Sequence, residues 1–246
     1  MKFLTAIILV FIFYGCQPVK NNALPEKFNA AKIKNLVTQA IDSSLTANYE
    51  LSYLVDLEAN AYKYNSIVVD SILADKDTFY FVILENENPL YNRFAVYSSD
   101  LSPLLKDKSL NGNISYKTLR TAGKDFIEID DSYLAKDTLL LNRISLYSID
   151  STGVVLAFRT HIKFSETDNN FFQDLTEISD TLIKTNIRSS KKSEINGKTD
   201  NFIFDSSTGN YSSSQNLFDQ FIKKEIKNFD HLPVKDQIAD TLKTAR

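Results

Sequence analysis

The sequence predicts an α+β fold: an antiparallel β meander flanked by an N-terminal helix and C-terminal helices. Three observations carry this. β-prone runs recur from Ser66 to Phe204, separated by turn residues. On either side of that stretch, apolar residues recur at helical spacing, over 28–45 and again over 217–229. Most glycines sit in turn sequences, at Asn111-Gly112-Asn113, Ser151-Thr152-Gly153, Asn196-Gly197 and Thr208-Gly209-Asn210, which favours hairpins over helical crossovers.

The first helix is expected to begin near Glu26, with Pro25 suited to its first turn. Its stripe is Phe28, Ile33, Leu36, Val37, Ala40, Ile41 and Leu45. Residues 48–60 fit either a second helix or an alternating strand. Ile67–Val69 and Ile72-Leu73 are β-prone, and Ala74-Asp75-Lys76-Asp77 reads as a turn. Thr78–Leu84 is a continuous apolar run, as expected of a strand buried on both faces. Further strands are expected at Phe94–Ser98, Ile114–Leu119, Phe126–Ile129, Leu139–Ile149, Val154–Phe164, Leu175–Ile187 and Asn201–Phe204. Along 154–164, Val154, Leu156, Phe158, Ile162 and Phe164 alternate with Arg159, His161 and Lys163, predicting one buried and one solvated face. Residues 189–200 and 206–216 are polar and read as loops. A C-terminal helix is expected from Leu217, with Ser214 as its N-cap and Leu217, Phe218, Phe221, Ile222, Ile226 and Phe229 as its stripe. A last short helix is expected after Pro233, carrying Val234, Ile238 and Leu242.

A partial internal repeat is also present. Lys76-Asp77-Thr78 matches Lys136-Asp137-Thr138, and Asn92–Asp100 matches Asn142–Asp150. Two related β units with equivalent faces would produce it; so would convergence of strand and turn chemistry.

The N-terminus carries an address. Lys2 precedes an apolar run from Phe3 to Tyr14, the length of a signal-peptide core and shorter than the roughly 20 residues a membrane span needs. Gly15-Cys16 follows, and polarity returns at Gln17. A small residue before the chain's single cysteine, at the end of such a run, resembles the lipobox of bacterial lipoproteins, in the relaxed form seen in Bacteroidota; Phe13 and Tyr14 are bulkier than the common pattern. The resemblance implies cleavage after residue 15, acylation of Cys16 and a tether over 16–25, followed by one α+β domain over 26–246. Two or more acyl chains hold firmly where one is marginal. Gln17 in place of Asp implies transport to the outer membrane, and the lack of an acidic run after Cys16 implies the periplasmic face.

Composition narrows the partners. The formal charge is -3, becoming -4 once Lys2 is removed, so no strong field steers the chain to nucleic acid. Lys191-Lys192 and Lys223-Lys224 read as solvated faces. With one cysteine there is no disulfide framework. His161 and His231 lack metal-ligand spacing, no glycine-rich phosphate loop or nucleophile elbow is present, and no cofactor is implied. Ser189-Ser190-Lys191-Lys192 formally matches Ser-x-x-Lys but lies in a polar loop. Glu128, Asp130 and Asp131 are the candidates for Ca²⁺ binding or acid–base chemistry, against an ordinary turn at Asp130-Asp131-Ser132. Asp precedes Ser or Thr nine times, more often than composition predicts. The ordinary reading is turn and cap initiation. Five of these, at Ser71, Thr138, Ser151, Thr181 and Thr241, resemble the Asp-Ser/Thr-apolar acceptor of periplasmic O-glycosylation in Bacteroidota.

Three function classes follow. The first is a lipid-anchored, non-enzymatic binding or scaffolding domain of the cell envelope, working with an envelope protein partner. The second is a carrier whose sheet and helices enclose an apolar ligand lined by Phe79–Leu84. The third is a hydrolase using Asp130 or Asp131.

Overall fold

The computed structural model describes residues 29–43, 64–87, 91–121, 123–136, 139–166 and 168–226. The signal segment, the tether with Cys16, the ambiguous 48–60 stretch and the helix expected after Pro233 lie outside the described residues.

Helix α1 spans Ala30–Ser43. It starts at Ala30 rather than near Glu26, because the Asn29 side chain accepts a hydrogen bond from Lys32 N at 2.9 Å and so caps the first turn. Four strands follow: β1 (Tyr64–Ala74), β2 (Asp77–Asn86), β3 (Arg93–Tyr97) and β4 (Pro103–Asp107), paired in that order. Eight more make a second sheet, also in chain order: β5 (Asn113–Arg120), β6 (Asp125–Lys136), β7 (Leu139–Asp150), β8 (Gly153–Glu166), β9 (Asn169–Ile178), β10 (Leu182–Ser189), β11 (Thr199–Asp205) and β12 (Asn210–Ser212). Every strand pairing is antiparallel. Helix α2 (Leu217–Glu225) closes the described chain.

The expected meander is therefore present, but the fold is mostly β and carries less helix than an α+β class implies. The physical reason is what covers the apolar faces. Phe79, Phe81 and Ile83 of β2, with Phe94 and Val96 of β3, pack against Ile127, Ile129, Tyr147 and Ile149 of the larger sheet. Sheet on sheet thus does most of the burial, and each helix covers a limited area. On the other side of the small sheet, Ile33 and Val37 of α1 sit on Tyr80, Val82, Leu84 and Tyr97. Thr78–Leu84 reads as an unbroken apolar run because β2 is the middle layer, buried from both sides.

β8 corrects the expectation of a simple alternation. Register shifts opposite Asn142/Arg143 and Leu146/Tyr147 turn its side chains. Val154 and Leu156 join the core between the sheets, Phe158 and Ile162 turn to the opposite face, and Phe164 packs under α2. β8 and β9 pair only from Lys163–Glu166 to Asn169–Phe172. Beyond that they part, and β10–β12 cover the second face of β6–β8 with Ile183, Phe202 and Tyr211 against Phe126, Ile144, Leu146 and Phe158. Buried Gln173 fills the fork. Its Nε2 donates to the His161 carbonyl at 2.8 Å and to Thr160 Oγ1 at 3.1 Å, replacing ladder bonds that the parting removes.

Other expectations shift locally. Leu175–Ile187 is a hairpin, not one strand, turned at Ser179, whose hydroxyl accepts from Leu182 N at 3.1 Å. β4 was hidden by Pro103, which an edge strand tolerates at its first residue. The longer half of the sequence repeat has no structural counterpart: residues 92–100 cover β3 and its following turn, whereas 142–150 lie wholly within β7; of the shorter half, Asp137 and Thr138 lie outside the described residues. Tyr97 faces the α1 side, but Tyr147 faces the space between the sheets. α2 is capped not by Ser214 but by Asp200 of β11, whose Oδ2 accepts from Leu217 N at 2.8 Å; Asn216, in the left-handed region, makes no side-chain cap.

Candidate functional site

One face of β6–β8 carries a polar band between two apolar regions. Ile149 opposite Val154 lies on one side of it and Leu141 opposite Phe164 on the other. Between them come Tyr147, then Ser145 opposite Arg159, then the row Asp131–Arg143–His161. The band meets the connection between β4 and β5 on one side and the start of α2 on the other.

Asp107, the last residue of β4, anchors the band. Its Oδ2 accepts from Tyr147 OH and from Arg159 Nη2, both at 2.5 Å, and its Oδ1 accepts from Ser109 N at 2.6 Å and Ser109 Oγ at 2.5 Å. Arg159 also donates to Ser109 Oγ at 2.5 Å, Ser145 Oγ at 2.8 Å and Tyr147 OH at 2.9 Å. Burial opposes the Asp107 charge, yet Arg159, Ser109 and Tyr147 together hold its carboxyl below the usual range. Burial, then the Asp107 charge, pushes the Tyr147 phenol well up. A second pair lies alongside. Arg143 grips Asp131 through Nε at 3.1 Å and Nη2 at 2.8 Å, and donates to the Ser109 carbonyl at 2.5 Å. Asp131 Oδ2 accepts in addition from Asn111 N at 2.8 Å.

His161 carries the band to α2. Its Nδ1 lies 2.9 Å from Asp219 Oδ1, which also accepts from His161 N at 3.2 Å, and Tyr133 OH is 3.4 Å from its Nε2. Burial opposes the Asp219 charge, but the bonds from His161 and Asn216 outweigh it and lower its carboxyl.

Chemically this is a clamp. Two arginines and two aspartates balance in charge, and all four carboxylate oxygens of Asp107 and Asp131 already accept hydrogen bonds. Both aspartate side chains are fully buried, so a substrate does not reach them. What the band does is tie the 107–111 connection, and with it the small sheet, to the large sheet and to α2.

The candidate trio is not brought together. Glu128, Asp130 and Asp131 lie inside β6, not in a turn, and alternation sends Asp131 to the band while Glu128 and Asp130 face the other way. Glu128 pairs with Lys117 at 2.7 Å. Asp130 is half-buried; burial first, then the Glu128 charge, raises its carboxyl to about 6. Its Oδ1 is buried with no hydrogen-bond partner. Among the described residues no group of three or more His, Cys, Asp or Glu is placed to hold a metal ion. His161 is buried and bonded rather than solvated, because the register shift beside Arg143 turns it towards Asp219. Ser189 closes β10, its hydroxyl accepting from Lys191 N at 3.2 Å, while Lys191 and Lys192 are exposed. Ser71, Ser151 and Thr181 are exposed. Thr138, Thr241, His231 and Cys16 lie outside the described residues. Tyr80–Leu84 are packed in core, and of the expected lining only Phe79 borders a surface depression.

No family model, no curated protein and no solved structure matches this chain. No described helix is long and apolar enough to cross a membrane.

Proposed function

We propose that this chain is a lipid-anchored envelope lipoprotein, held to the outer membrane on its periplasmic side through acyl chains on Cys16, with a non-enzymatic binding or scaffolding domain as its folded part. One observation carries the second half of that reading: the densest polar cluster of the described residues is closed, charge-balanced and occupied in joining the two sheets to α2. The first half rests on the signal-like run ending at Gly15-Cys16. Exposure of Ser71, Ser151 and Thr181 is compatible with O-glycosylation at those hydroxyls, which intact-mass measurement of native protein tests through hexose additions.

The experiment for the anchor is metabolic labelling with a palmitate analogue. The native chain takes up label and stays with the membrane fraction, and Cys16→Ala does neither. Equal labelling of both would refute the anchor. For the binding role, in-cell crosslinking of the native chain returns one reproducible envelope protein; repeated recovery of the chain alone would refute it.

A further inference from the structure

A depression of about 210 Å³ opens where the beginning of β2 meets the β3–β4 and β7–β8 turns. Its floor is apolar, made by Phe79 with Leu104 beside it. Its rim is polar and largely unused. Among the described residues the Asp77 carboxylate and the hydroxyls of Thr78, Ser99 and Ser151 have no hydrogen-bond partner. Two further rim hydroxyls are already committed as donors: Ser98 donates to Asp100, and Thr152 donates to Asp150 at 2.5 Å, which leaves each oxygen able to accept. At Gly153 an added Cβ would meet nothing within 4 Å, which marks the open mouth.

We propose that this depression binds a neutral polyhydroxylated ligand of about one sugar ring, through the partnerless Asp77, Thr78, Ser99 and Ser151 groups that three chain segments gather over one apolar floor. The reasoning is complementarity. A carboxylate and the two hydroxyls already committed as donors accept, while three free hydroxyls both donate and accept; a ring of hydroxyls offers the matching mixture. An anion is disfavoured, since no Lys, Arg or His lines the depression and Asp100 and Asp150 stand at the β3–β4 and β7–β8 turns that form it. An organic cation would find one lining carboxylate and no exposed aromatic face, since Phe79 is only 6% exposed. The volume lies below the roughly 300–1,000 Å³ of drug-sized sites, which fits a single small unit and weak binding. This inference does not depend on the anchor.

Saturation-transfer NMR on the full chain, produced without glycosylation so that the Ser151 hydroxyl is free, tests it, with glucose, galactose and N-acetylglucosamine as probes and choline and acetate as controls. Transfer to the ring protons of at least one sugar is expected, several-fold weaker in Asp77→Ala and in Ser151→Ala. Neither side chain makes a hydrogen bond among the described residues, so both variants should keep the native urea midpoint. No transfer to any of the three sugars would overturn the proposal. So would transfer that both variants leave unchanged, or stronger transfer to choline or acetate.

Discussion

Replacing Asp130 with Asn should stabilise the protein at neutral pH and leave it unchanged in acid. Asp130 stands in β6 with Oδ1 buried and without a partner, and its carboxyl is raised from 3.8 to about 6, first by burial and then by Glu128. A raised folded-state value means the fold holds this proton more tightly than the unfolded chain does. The contribution is therefore fully favourable below about pH 4 and is lost as the pH rises through about 6. Full conversion of that displacement gives about 3 kcal/mol. Asp130 is only half-buried, and solvent screening brings the figure to about 1 kcal/mol. Asp130→Asn removes the charge while keeping the shape. Urea unfolding at intervals from about pH 3 to about pH 7 measures the variant's advantage. It should be near zero at the acid end, grow as the wild-type carboxyl ionises, and level off at about 1 kcal/mol. An advantage independent of pH, or a variant less stable than wild type at pH 7, would refute the reasoning.

Two further perturbations test other parts of the structure. Asp131→Asn leaves Arg143 buried without its counter-charge and should lower the unfolding free energy by about 3–5 kcal/mol. Asp131→Leu combined with Arg143→Met removes the unpaired charge but leaves Asn111 N and the Ser109 carbonyl without these partners, at about 1–3 kcal/mol each, so it should stay about 2–6 kcal/mol below wild type and recover little. A loss under about 1 kcal/mol in Asp131→Asn, read from urea midpoints, would show that the pair matters little. Asp200→Ala removes the cap on Leu217 N and the acceptor of the Ser213 hydroxyl. It should cost about 1 kcal/mol and speed hydrogen exchange in the first turn of α2, with β2 amides unaffected.

Much of the frame was legible in local pattern. The described members of the two helical stripes (Ile33 and Val37 of α1; Phe218, Phe221 and Ile222 of α2), the turn glycines and the unbroken run in β2 each report a local rule, and each is found in place. What escaped depends on registers that local pattern does not encode. Two bulges decide that Phe158 and Phe164 of one strand enter different cores, that Arg159 is partly buried and that His161 is buried. Pro103 and the three-residue length of β12 concealed edge strands that lean on neighbours distant in sequence. The polar band escaped for the same reason, since Asp107 meets Arg159 and Asp131 meets Arg143 only once the strands are aligned. The one available sign was charged side chains set within otherwise apolar strand runs, at Arg143 and Asp131. Alternation along β6 also explains why three acidic residues close in sequence form no common site.

The central claim is that the polar band clamps one sheet to the other. A double-mutant cycle between Asp107 and Arg159, which bond across the sheets at 2.5 Å, tests it most directly. Asp107→Ala, Arg159→Met and the double variant are unfolded in urea at pH 7. The account predicts a favourable coupling of about 1.5–3 kcal/mol between the two positions. Additivity to within about 0.5 kcal/mol would contradict it.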